Sequence, residues 1–187
     1  MTNKGNFTKL QKIASIVERA KVFRHSDIFR IASLSLGTPD GDWCDFVLED
    51  NSPVKFKIIH SGTNDSINAE QLLYALTGTH IVGARNWDNL IFRLAERIDW
   101  EGDSDYYFII LDSSTGECFA TSMMRLDGLR PSANKPPFQS SWRRKNCEVE
   151  RPREEQIKYL IDTFGRSLRL RAIPYQTFLK VFSKAKP

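Results

Sequence analysis

The longest obvious apolar run in the chain is Tyr106–Leu111, six aromatic and branched aliphatic residues in a row. A membrane-crossing helix needs about 18 consecutive apolar residues, so this run predicts a strand, Asp105–Asp112, and nothing in the sequence predicts a membrane span. Ser113-Ser114-Thr115-Gly116 supplies turn chemistry, and Glu117–Ser122 returns as the partner strand. The rest of the chain must pack around short elements of this kind.

Helical spacing supplies covering layers. From about Phe7 to Phe23, Leu10, Ile13, Val17 and Ala20 recur on one face, with Asn6 as the expected N-cap. A second helix is expected from Ser26 towards Gly37, before Pro39, and a third from a Ser66 cap through Leu76, followed by a short strand at His80–Val82. Trp87, Leu90, Ile91, Leu94, Ala95 and Ile98 make the clearest amphipathic helix. Arg130–Pro137 reads as a loop, Phe138–Trp142 as a short strand and Arg143–Asn146 as another loop. Two helices close the chain, Arg153–Phe164 and Tyr175–Lys184, the second just after Pro174.

At 187 residues, 41% hydrophobic and 27% charged, the sequence is sized for a single domain covering 1–187. The order of its elements predicts an α/β (α+β) fold with a mixed central sheet flanked by helices. Three scattered cysteines, Cys44, Cys118 and Cys147, make neither a metal spacing nor an even disulfide set, and Met1-Thr-Asn-Lys-Gly lacks signal-peptide character. A reducing cytoplasm is the expected location, which makes the N-x-S/T matches at Asn6 and Asn64 accidental.

The net charge of +4 hides a division. Residues 1–120 hold 12 Lys+Arg against 17 Asp+Glu, whereas residues 121–187 hold 15 against 6. The basic residues of the last third alternate with aromatics, a pattern suited to a polyanion.

The remaining element is a predicted hairpin. Trp43–Glu49 and Val54–Ile59 alternate, with Asp50-Asn51-Ser52-Pro53 as a turn cluster between them. Asp45 stands on the first strand, Lys55 and Lys57 on the second. Metal-assisted phosphodiester cleavage needs carboxylates converging on Mg²⁺ and commonly a lysine that orients or activates the attacking water. The segment Asp45-x9-Lys55-Phe56-Lys57 resembles the hairpin of the PD-(D/E)XK nucleases, in which an Asp on one strand is followed on the next by an acid, any residue and a lysine. The wider layout of N-terminal helices, acidic hairpin, later hairpin and basic C-terminal region is similar to type II restriction endonucleases.

The resemblance implies Asp45 as a metal ligand, position 55 as the second ligand and Lys57 as the water-activating lysine. Lys55 departs from it, because an ammonium cannot coordinate Mg²⁺ and repels it by several kcal/mol at low effective dielectric (~332/εr). Three readings stay open: a second acid from Glu18, Glu49 or Glu70; a non-catalytic relative; or an inactivating change from Glu at position 55. Asp40 and Asp42 are alternative first acids. A four-residue turn at 50–53 would pair 45 with 58 and set Asp45 and the lysines on opposite faces, whereas a three- or five-residue turn or a bulge returns them to one face.

Base edges are read chiefly by Arg or Lys at guanine and Asn or Gln at adenine. Asn134, Lys135, Gln139, Ser141, Arg143, Arg144 and Lys145 are the DNA-binding candidates, with Gln139 and Ser141 expected opposite a buried face of Phe138, Ser140 and Trp142. Arg166, Arg169 and Arg171 are candidates for phosphate contacts. No catalytic triad, Gly-rich phosphate loop or zinc pattern is present. The resemblance thus implies a Mg²⁺-dependent, site-specific double-stranded DNA endonuclease acting as a homodimer, or its inactive form. Residues 1–37 would hold helices and a dimer contact, 38–122 the catalytic-type core and 123–187 the DNA-contacting region. The alternative is a non-enzymatic nucleic-acid-binding or regulatory protein with a structural hairpin.

Overall fold

The computed structural model describes residues 3–21, 24–39, 43–60, 65–80, 86–133, 137–171 and 173–183. Two helices, α1 (Asn3–Ala20) and α2 (His25–Ser33), precede a hairpin of β1 (Phe46–Val47) and β2 (Pro53–Ile59). Then follow β3 (Asp65–Ile67), α3 (Ala69–Thr77), α4 (Trp87–Arg97), β4 (Tyr107–Asp112) and β5 (Cys118–Ser122). The chain continues through β6 (Arg130–Pro131), β7 (Phe138–Ser140), α5 (Arg153–Arg169) and α6 (Ile173–Phe182). The class is mixed α/β, as expected.

The main sheet has the order β1-β2-β4-β5, with β2 and β4 parallel and the outer pairs antiparallel. Alternation along its strands sorts the side chains into two cores. Val54, Phe56, Tyr107, Ile109 and Leu111 pack on one face beneath Leu10, Ile13 and Val17 of α1 and Ile28 of α2. Phe108 and Ile110 point the other way, into a core shared with α3, α4 and α5. Lys55 is abreast of Phe108 and Lys57 of Ile110, so both lysines lie on that second face. A smaller antiparallel sheet, β3-β7-β6, closes this side.

Several local expectations move. Asn6 does not cap α1; it lies inside the helix, buried, and its amide donates to Asp50 Oδ2 at 2.6 Å, fastening α1 to the hairpin turn. Ser66 does not cap α3 but belongs to β3; the cap is Asn68, whose backbone N–H donates to Gln71 Oε1 at 2.9 Å. Part of the expected loop at 130–137 forms β6, while the strand expected at His80–Val82 falls largely outside the described residues. The helix from Arg153 continues past Phe164 to Arg169, with Gly165 tight against Phe178 of α6. Trp87–Arg97 and Tyr107–Asp112 form as expected. All three cysteines are free and buried. No described helix is long and apolar enough to cross a membrane.

Candidate functional site: the Asp45–Lys55–Lys57 hairpin

The hairpin turn decides which side chains meet. Phe46 pairs with Val54 and Val47 with Pro53, and Leu48 N–H donates to the Ser52 carbonyl at 2.9 Å. Glu49, Asp50 and Asn51 therefore form a three-residue turn. Asn51 takes the left-handed conformation (φ 64°), which Asn tolerates better than most residues. Asp50 Oδ1 accepts from Ser52 N at 3.0 Å and steadies the bend. Asp45 lies in a bend just before β1, and its N–H donates at 2.9 Å to the carbonyl of Val54, the residue that Phe46 also faces, so Asp45 and Phe46 together oppose Val54 as in a bulge.

The Lys55 ammonium donates to Asp45 Oδ1 at 2.7 Å, and the Phe56 N–H donates to Asp45 Oδ2 at 2.7 Å. The carboxylate thus takes over the ladder where β1 ends, and both of its oxygens are engaged. Lys57 is more deeply set, its side chain 12% exposed. Its ammonium donates to Asp65 Oδ2 and, at 2.8 Å, to the Ser66 carbonyl, and lies 5.3 Å from the Trp142 ring centre. Burial holds the Lys57 pKa below the ordinary lysine value, opposed by the hydrogen bond and charge of Asp65.

The candidate second acids separate. Glu18 lies on α1, across the main sheet from the lysines, and accepts from Cys118 N at 3.4 Å. Glu49 is held at the turn by Lys9 at 2.8 Å, an exposed pair. Glu70 is half-buried in the first turn of α3, a helix packed on the lysine side of the main sheet. Asp40, Asp42, Asn134 and Lys135 lie outside the described residues. Asp65, the partner of Lys57, has no local sequence signal, because a β3–β7 pairing brings it in.

Mg²⁺ does not fit this site as it stands. Among the described residues no group of three or more His, Cys, Asp or Glu side chains is assembled to hold a metal ion. At Asp45 the cationic partner is already present, tethered as Lys55.

The polar face expected at β7 forms. Phe138, Ser140 and Trp142 are buried, whereas Gln139 and Ser141 are half-buried. Arg143 and Lys145 are exposed, but Arg144 is engaged by Glu117 at 2.7 Å and Glu148 at 3.1 Å. Arg166 pairs with Asp162 at 3.0 Å, Arg169 Nη2 donates to the Tyr175 hydroxyl at 2.6 Å, and Arg171 lies over the Trp87 ring.

A separate cleft of about 680 Å³, lined in part by Gln11, Asp105, Arg125, Arg151 and Arg153, carries groups already paired. Arg125 meets Glu150 at 2.9 Å, Arg151 meets Asp127 at 2.7 Å, and Arg153 donates to the Ser104 carbonyl at 2.8 Å. The chain matches no protein-family model and no curated protein.

Proposed function

We propose that this chain is a double-stranded-DNA-binding protein of the restriction-endonuclease kind, working as a homodimer, whose cutting centre is closed by Lys55. The observation that supports it is the facing of the hairpin: Asp45, position 55 and Lys57 lie on one side of β2, where the nuclease layout needs them. The Lys55 ammonium, 2.7 Å from the carboxylate, takes the place of an external cation, so the chain binds DNA without hydrolysing it. Glutamate at position 55 would bring a second carboxylate beside Asp45, with Lys57 and its partner Asp65 on the same side of β2.

The test is Lys55→Glu, assayed on supercoiled plasmid with and without Mg²⁺. Mg²⁺-dependent nicking by the variant, absent from the parent and lost again on adding Asp45→Asn, is the expected result. A folded, inactive Lys55→Glu protein would falsify the nuclease relationship. The second reading, a nucleic-acid-binding protein whose hairpin is only structural, is favoured by the full engagement of both Asp45 oxygens. It keeps salt-dependent DNA binding in the parent and predicts no cleavage by any position-55 variant.

A further inference from the structure

The small sheet β3-β7-β6 has an inner and an outer face. Ile67 and Phe138 stand abreast and fully buried, next to Pro131, and Ser140 is buried beside them. One residue along the pleat, Ser66 pairs with Gln139 and Gln139 with Arg130, so these three side chains form a row on the opposite face. Arg130 is exposed, and neither its guanidinium nor the Gln139 amide has a hydrogen-bond or charge partner among the described residues.

We infer that this row is the base-reading edge of the protein: Arg130 addresses a guanine and Gln139 an adenine of the neighbouring base pair, in the major groove of double-stranded DNA. The inference rests on the DNA-binding reading above. Arg is suited to guanine O6 and N7, and Gln to adenine N6 and N7, each through two hydrogen bonds. Adjacent strands lie about 4.8 Å apart and base pairs about 3.4 Å, a mismatch that two flexible side chains absorb. Gln139 stands on a strand pinned from behind by the buried Phe138 and Ser140, and Arg130 pairs with it on β6, so the backbone of the row is in place before binding.

The row also adjoins the hairpin centre. The carbonyl of Ser66, its third member, accepts the Lys57 ammonium at 2.8 Å. Reading surface and candidate catalytic lysine are therefore joined by one hydrogen bond, from Lys57 on β2 to β3 of the small sheet. Arg143 and Lys145, exposed in the turn beyond β7, are left for phosphates, which fix position without reading sequence.

The experiment is selection of a randomised duplex DNA library by the full chain, followed by sequencing, for the parent, Gln139→Glu and Arg130→Gln. The parent should enrich a motif containing an adjacent adenine and guanine. Gln139→Glu should shift the adenine position towards cytosine, and Arg130→Gln the guanine position towards adenine. Each should show roughly a tenfold or greater change in discrimination at that one position. A motif unchanged in both variants overturns the row while leaving DNA binding intact. Random duplex bound by the parent without salt dependence, or not bound at all, overturns the DNA reading and this row with it.

Discussion

Lys55 Nζ lies 2.7 Å from Asp45 Oδ1, where the chain bends just before β1 and carries the carboxylate to the lysine side of β2. The pair neutralises a carboxylate whose side chain is largely buried. It also connects stability with the proposed function, because every substitution at position 55 changes both.

Lys55→Glu sets two carboxylates abreast. Like charges opposite one another in a sheet destabilise it by roughly 0.2–1 kcal/mol, so in EDTA the variant should melt below the parent. If the acids form a cation site, Mg²⁺ should raise the melting temperature of the variant with increasing concentration and leave the parent unchanged. A melting temperature insensitive to Mg²⁺ in both proteins would count against a latent metal site.

Removing the lysine alone is milder than removing the acid. Lys55→Met leaves Asp45 accepting from Phe56 N and reachable by water, an expected loss of about 1 kcal/mol. Asp45→Ala strands the Phe56 N–H and the ammonium together, with about 2 kcal/mol expected. Urea unfolding midpoints should rank the two in that order.

Lys57 and Asp65 should behave asymmetrically. The lysine side chain is 12% exposed and the aspartate 42% exposed. Asp65→Asn therefore leaves a buried ammonium with a weaker partner and should cost more than Lys57→Met, which leaves a carboxylate that water can reach. The folded pKa of Lys57 lies below its ordinary value of 10.5. In the window just below 10.5 the unfolded chain holds the proton more firmly, so the Lys57 contribution to stability rises with pH there and levels off once both states are neutral. Lys57→Met should remove that alkaline rise from unfolding curves.

Asp105 gives the opposite pH sign. Burial raises its carboxyl to about 6, against hydrogen bonds from Ser122, Met124 and Tyr106 and the charge of Arg153. The folded state therefore holds a proton that the unfolded state releases near pH 4. The Asp105 contribution is fullest below about pH 4 and is lost as pH rises through about 6. Asp105→Asn keeps an acceptor for Tyr106 N and Met124 N, at 2.8 and 3.2 Å, and cannot ionise. It should flatten this dependence and stabilise the protein at pH 7 by on the order of 2 kcal/mol.

At Gly165, a Cβ would lie 2.7 Å from the Phe178 ring, so a side chain there must displace that ring from its seat against α5. Gly165→Ala should destabilise the fold by about 1–3 kcal/mol despite its better helix propensity. Gly165→Ala combined with Phe178→Leu should recover part of that loss, measured as a double-mutant cycle.

How much of this was legible in the sequence depended on whether the signal was periodic or pairwise. Trp87–Arg97 and Tyr107–Asp112 follow from apolar spacing, since a helix or strand buries whatever its own repeat places on one face. The buried and polar sides of β7 follow from the same alternation. The mixed α/β class, and Asp45, Lys55 and Lys57 as residues of one hairpin, belong with these. The turn length and the bulge that sets Asp45 and Phe46 together opposite Val54 decided which of them face each other.

The long-range pairings were decided only in three dimensions. Asp65 reaches Lys57, Arg130 aligns with Gln139, Asn6 fastens the turn, and Glu18 falls on the far side of the sheet. No repeat within a strand or helix encodes such partners. They arise from strand order and layer stacking, which the whole chain determines by burying its apolar faces together.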